Sequence, residues 1–359
     1  MKIQGTAAAA AVKALAPVPA DTIRVAGTTG GLKLSATNMN TNLRVTALVP
    51  MASPAVSGVW VVPRQAIDAW VKSGVDLGME PGESTIKLSG DGFEAQVPFS
   101  TEAHGDHPPG SVGEWYDIDS KTITEAIRPC LWSVGDRVVR PALHSVRLVL
   151  ERDRVVCEGV SGFSYTKSSV AIDVPGPAEP VELLLDAQDA VSITRVEFSK
   201  LGVWPDGDEV RGIRVRSNIA DYEMRCISVD YPDLEEFIGP MVDGIEEEET
   251  WLDPQDLYRV TRTLVAAVPP VTGMPLEVKV SSSSDSMGFH CKGQWLAEAE
   301  CELSGGPVEH DNRFKVGQIM QAASVMVSTS NVMVTDRVFV MRSEIDGIER
   351  TALLTCLAG

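Results

Sequence analysis

The chain has 359 residues, 44% apolar and 23% charged, which is enough to bury a real core divided between two or three domains. Its formal net charge of −19 excludes a protein that coats nucleic acid over its whole surface, although it leaves room for a local basic channel. No run of about 18 apolar residues offers a membrane span, and the alanine-rich run 7–12, short and broken by Lys13, reads as helix rather than secretion signal, which points to the cytoplasm.

Residues 5–15 predict a helix closed by Pro17-Val18-Pro19. A hairpin follows, 23–26 with 32–35, joined by the glycine-rich turn Gly27-Thr28-Thr29-Gly30-Gly31. Strands are expected at 43–49, 58–62, 84–88 and 93–99, with one helix among them at 65–73, where Ile67, Trp70 and Val71 share a face. After a Pro/Gly-rich loop at 105–113, a helix at 120–130 places Ile123, Ala126, Ile127 and Cys130 on one side.

Residues 140–165 then form two strand-like runs around Glu151-Arg152-Asp153-Arg154, and Ser161-Gly162 precedes the aromatic residues Phe163 and Tyr165. This stretch presents apolar side chains and no catalytic group. A strand at 182–185 leads into a helix at 187–200, and strands follow at 213–216 and 222–228. The same plot returns after the acidic connector 246–249: helix 255–268, strands 276–281, 288–291 and 295–303, helix 313–324, and closing strands at 331–334, 338–342 and 351–357.

Helix, strands, helix, strands thus recurs three times at a period of roughly 120 residues. Domain boundaries are expected at 1–114, 115–243 and 244–359, in an α+β class with antiparallel sheets and two helices per repeat. The expected helices hold Lys13, Arg64, Lys72, Lys121, Arg128, Arg195, Lys200, Arg259, Arg262, Arg313 and Lys315, against Asp68, Glu125, Asp189, Glu197 and Asp256. Two readings follow: a basic helical side on an acidic protein, or ordinary solvated helix faces.

Chemical motifs are few. The six cysteines form no C-x-x-C pair and read as reduced thiols, which disfavours zinc. His104-Gly105-Asp106-His107 has ligand-type residues but no third ligand nearby, and Gly27–Gly31 precedes no helix and so cannot cradle a phosphate. No nucleotide-binding or hydrolase motif occurs, so neither enzyme activity, cofactor nor metal is expected.

Arg140-Pro141-Ala142-Leu143-His144-Ser145-Val146, one hairpin before Val160-Ser161-Gly162-Phe163-Ser164-Tyr165, resembles a signature strand of the bacterial β sliding clamp family, the processivity subunit of DNA polymerase III. Leu34-Ser35-Ala36-Thr37-Asn38-Met39, Val62-Pro63-Arg64, Tyr231-Pro232-Asp233-Leu234, Phe314-Lys315-Val316 and Val334-Thr335-Asp336 are similar to further family segments, in the same order along the whole chain. The resemblance implies three clamp-type domains per chain and a homodimeric ring that encircles double-stranded DNA. It also implies an ATP-driven clamp loader and a hydrophobic pocket for peptides of a DNA polymerase and other partners.

Carried over by position, the pocket wall is Leu143, Val160, Gly162, Phe163, Tyr165, Pro232, Phe237, Val338, Val340, Leu353, Leu354 and Leu357. The DNA-facing residues are Lys13, Arg64, Lys72, Lys121, Arg128, Arg195, Lys200, Arg259, Arg262 and Lys315. Ser161-Gly162-Phe163-Ser164, Glu236 and the tail Thr355-Cys356-Leu357-Ala358-Gly359 depart from the family pattern, as expected of a divergent member such as a phage would encode. An adaptor that kept the fold but lost the DNA role, and a metal-dependent enzyme, are the alternatives.

Overall fold

Alternating apolar and polar residues drive most of this chain into antiparallel strands, and short amphipathic helices cover the apolar sheet faces. The computed structural model describes every residue except 1, 42, 52–56, 75, 102–111, 136–140, 207–208, 244, 246–249, 271–275, 283–285, 295, 305–311, 336 and 358–359.

In chain order the elements are β1 (Lys2–Gln4), α1 (Gly5–Ala14), β2 (Thr22–Thr28), β3 (Gly31–Thr37), β4 (Arg44–Pro50), β5 (Val59–Pro63), α2 (Arg64–Lys72), β6 (Asp76–Pro81), β7 (Thr85–Gly90) and β8 (Phe93–Pro98). Next come β9 (Glu114–Tyr116), α3 (Ser120–Ile127), β10 (Ser145–Leu150), β11 (Arg154–Val160), β12 (Ser164–Ala171), β13 (Val181–Asp186), α4 (Ala187–Ile193), β14 (Lys200–Asp206), β15 (Glu209–Arg216), β16 (Ala220–Arg225) and α5 (Leu234–Val242). The last are β17 (Trp251–Leu252), α6 (Pro254–Ala267), β18 (Glu277–Ser282), β19 (Ser286–Lys292), β20 (Leu296–Ser304), β21 (Asn312–Lys315), α7 (Val316–Val325), β22 (Ser330–Val334), β23 (Val338–Ile345) and β24 (Ile348–Thr355).

Contacts group these elements into two compact units, residues 1–121 with 188–228 and residues 122–187 with 229–359. The division runs through the segment 115–243 because strands of successive repeats pair with each other. In the first unit β4 joins β16, giving the eight-stranded order β5-β2-β3-β4-β16-β15-β14-β9 beside a four-stranded sheet β1-β6-β7-β8. Helices α1 and α2 pack together, and the buried Trp70 indole donates to the Ser89 carbonyl at 3.0 Å. Gly31, with φ of 147°, opens β3 where a Cβ would sit 2.1 Å from the Val49 oxygen.

In the second unit β12 joins β24 in a twelve-stranded sheet, β13-β10-β11-β12-β24-β23-β22-β17-β20-β19-β18-β21. Helices α6 and α7 pack together over a core that includes Phe289, Phe314, Phe339 and Leu354. All strand pairs among the described residues are antiparallel, so the α+β class read from the sequence is the observed one.

Element boundaries differ in physically readable ways. Helix α3 stops at Ile127 because Pro129 enforces a 3-10 turn over Arg128–Ser133. The expected helix 187–200 ends at Ile193, where tight turns such as Arg195 N–H to the Ser192 carbonyl take over, and Lys200 already opens β14. Arg313 and Lys315 sit on β21, paired with β18, so α7 begins only at Val316. Strands β1, β6, β9, β12, β14 and β17 and helix α5 were not anticipated from the sequence.

Candidate functional site

The outward-facing positions of the second unit's sheet build the candidate site. Val160 pairs with Tyr165, Tyr165 with Leu353, Leu353 with Val340 and Val340 with Met333, which makes one apolar row across five strands. The adjacent row is polar: Arg147, Glu158, Lys167, Thr351 and Arg342 in the same cross-strand order. A two-residue step along any strand keeps the same face, so one sheet face changes from apolar to charged within a single step.

Helix α5 lies over the apolar row. Asp233 caps its start, accepting from Glu235 N at 3.1 Å and Glu236 N at 3.4 Å, and both glutamates favour the positive helix end. Leu234, Ile238, Met241 and Val242 then recur at helical spacing and close on Val160, Tyr165, Val338, Val340 and Leu353, joined by Ile245, Leu143 and Tyr231. Gly239-Pro240 near its end disguises this helix in the sequence, since that dipeptide reads as a breaker. Beside the helix opens a cavity of about 480 Å³, apolar along Tyr165, Leu234 and Val242, polar along Lys167, Arg342 and Glu349.

Polar groups under this cluster are tightly organised. The buried Glu158 carboxylate accepts from Arg147 at 2.8 Å and from the Tyr165 hydroxyl at 2.8 Å, while Arg147 also reaches Glu182 at 2.8 Å. Burial first and Glu158 second push the Tyr165 phenol well above its ordinary range. Burial likewise raises Tyr231, whose hydroxyl is buried and has no hydrogen-bond partner among the described residues.

Of the sequence-expected wall, Leu143, Val160, Tyr165, Val338, Val340 and Leu353 therefore converge. Pro232 is half-buried and Gly162 exposed. Phe237 is 61% exposed on the far side of α5. Leu354 points through the sheet into the opposite core with Phe339, and half-buried Leu357 donates its N–H to the Arg313 carbonyl at 2.9 Å. Phe163 is exposed in a turn fixed by Ser161, with the Lys315 ammonium 3.7 Å above its ring. Lys315 thus belongs to the rim of this site rather than to a basic helix.

The other expected DNA-facing residues divide. Arg64 is engaged by the Val18 carbonyl at 2.6 Å and by Asp68, Arg259 is bound by Asp256, and Lys200 pairs with Asp117 at 3.1 Å. Lys13, Lys72, Lys121, Arg128, Arg195 and Arg262 are exposed, with no ion pair to any described residue. Arg128 and Arg195 lie beyond their helices' ends, in the turns that replace them.

His104 and His107 lie outside the described residues, and no cluster of three or more metal-type side chains occurs among the described ones. The Ser281 hydroxyl lies 2.9 Å from His290 Nε2, and His290 Nδ1 lies 3.0 Å from Glu298, the connectivity of an acyl-transfer triad. It stands on the open face of β18–β20, with the His290 side chain 40% and the Glu298 side chain 62% exposed, so the imidazole is open to water. Incubation with a fluorophosphonate is accordingly expected to leave Ser281 unlabelled by peptide mass mapping, and an adduct at Ser281 would indicate an acyl-transfer activity instead.

No protein-family model and no curated protein matches the chain. Solved structures do. The DNA polymerase III subunit beta of Pseudomonas aeruginosa is 13% identical with a TM-score of 0.85, covering 100% of this chain and 99% of that one. The beta chain of Streptococcus pneumoniae is 13% identical with a TM-score of 0.84, and a putative beta subunit of Eubacterium rectale is 11% identical with a TM-score of 0.84, each covering 100% and 99%. The chain has the fold of the DNA polymerase III beta sliding clamps over its whole length, at a sequence distance that marks it as divergent.

Proposed function

We propose that this chain is a DNA sliding clamp: a non-enzymatic homodimeric ring that encloses duplex DNA and tethers a DNA polymerase through the site beneath α5. The observation that carries this reading is the whole-length clamp fold combined with an apolar row, at the joint of two repeats, that a helix covers only in part. Three domains, 1–114, 115–243 and 244–359, would supply each half of the ring.

A closed ring holds DNA by topology, so it needs only weak and mobile phosphate contacts, which six exposed basic residues without an ion pair among the described residues can provide on a chain of net charge −19. Tight binding would stop it sliding. The α5 site suits a short peptide inserting apolar side chains. Opening the ring falls to a separate ATP-driven loader, because the sequence carries no nucleotide-binding motif. The ring would act in the cytoplasm.

Retention on a nicked circular plasmid in the presence of a loader and ATP, lost when the plasmid is linearised, is the expected result. Equal retention on both forms would mean direct binding without encirclement. A particle that light scattering shows to be monomeric and that never stays on circles would leave the adaptor alternative.

A further inference from the structure

The strand orders β5-β2-β3-β4-β16-β15-β14-β9 and β13-β10-β11-β12-β24-β23-β22-β17 follow one logic: the last strand of one meander pairs with the last strand of the next. The joint β4·β16 in the first unit is therefore the topological counterpart of β12·β24, where the candidate pocket lies. Its outward rows have a different chemistry. One runs Arg24, Ser35, Thr46, Asp221, Arg216, and the next runs Thr37, Arg44, Glu223, Arg214. Charged side chains of both signs, Arg44, Glu223 and Arg214, stand in the row on β4, β16 and β15, the strands that correspond to those of Tyr165, Leu353 and Val340 in the second unit.

A cavity of about 330 Å³ opens over this joint, lined by Lys33, Arg44, Thr46, Arg214, Arg216 and Asp221 among others. The acidic groups on its floor are already engaged. Arg214 binds Asp221 and lies 3.5 Å from Glu223, while Arg216 reaches Asp221 at 3.0 Å and stacks 4.5 Å over the Trp115 ring. Lys33 forms no ion pair with a described residue, and burial, then Arg44, push its pKa down. Leu48 and Ile219, 48% and 44% exposed, stand at the rim, with the Leu48 N–H donating to the Ile219 carbonyl.

We propose that the β4·β16 groove is a second docking site, taking a short linear peptide that combines acidic side chains with an apolar one. Charge complementarity favours that occupant: Lys33, Arg44, Arg214 and Arg216 outnumber Asp221 and Glu223 in the groove of a strongly acidic protein. Nucleic acid fits less well. The cations converge on one cavity instead of tracking a backbone, the floor carboxylates would face phosphates, and the apolar rim would have no partner.

The test is fluorescence anisotropy with a short labelled peptide of alternating glutamate and leucine, beside its lysine–leucine counterpart. The acidic peptide is expected to bind and the basic one not to. Lys33→Glu and Leu48→Glu should each weaken the acidic peptide about tenfold or more, and Val340→Ala, in the other unit, should leave it unchanged. Leu48 is exposed, so Leu48→Glu keeps its fold and decides the matter if Lys33→Glu does not. Equal binding of both peptides, or unchanged affinity in Leu48→Glu, would overturn the proposal. Competition by a short DNA duplex whose own binding falls in the same variants would assign the groove to nucleic acid instead.

Discussion

Replacing Arg350 with alanine is expected to destabilise the folded chain by about 2–3 kcal/mol in urea unfolding. Its side chain is 9% exposed and ties two helices together. One terminal nitrogen donates to the Val325 carbonyl, the last of α7, at 2.6 Å, and the other to Glu125 Oε2 on α3 at 2.6 Å. Burial lowers its pKa while Glu125 supports the charge. Truncation strands a helix C-terminal carbonyl with no donor. Glu125, at 40% exposure, regains water, and this places the effect near or below the lower end of the range for a broken buried pair. Arg350→Lys should recover only part, since an ammonium cannot span both acceptors in the same fork. A loss below about 0.5 kcal/mol would remove Arg350 from the forces that hold α7.

How legible this was in the sequence can be argued from the same helices. Helix α6 was readable because Leu257, Val260, Thr261 and Leu264 repeat at helical spacing behind an Asp-Pro start, and Asp253 does accept from Gln255 N at 2.9 Å. Helix α5 carries a comparable pattern and an Asp cap, but Gly239-Pro240 masks it, so half of what covers the pocket went unread. The basic helix pattern weakened for a related reason. Sequence alone does not set where helix and strand exchange, and Lys200 opens β14 after α4 has ended, while Arg313 and Lys315 lie on β21 just before α7.

Which of the wall residues carried over from the resemblance gather beneath α5 was legible only to within strand parity. Val160 and Tyr165 alternate with small or polar neighbours, whereas Val338–Met341 and Ala352–Leu354 are apolar in succession on strands buried on both faces. Period-two reasoning cannot choose between two adjacent leucines, because either assignment leaves an apolar residue on each side. The register does choose: Leu353 pairs with Val340 toward α5, and Leu354 pairs with Phe339 toward the opposite core.

That difference of one residue gives the last expected result. Leu354→Ala should cost about 3 kcal/mol of stability, as a fully buried leucine does, and leave the folded fraction's affinity for a polymerase-derived peptide unchanged. Leu353→Ala should also destabilise, but in addition weaken that peptide by more than about 1 kcal/mol, the loss of a buried anchor. Calorimetric titration at a temperature where both variants are folded separates the two effects. Equal affinities in both variants and wild type would mean that the apolar row beneath α5 is only core. A drop confined to Leu354→Ala would place the peptide on the other face of the sheet, against α6 and α7, and reverse the assignment of inside and outside on which the pocket rests.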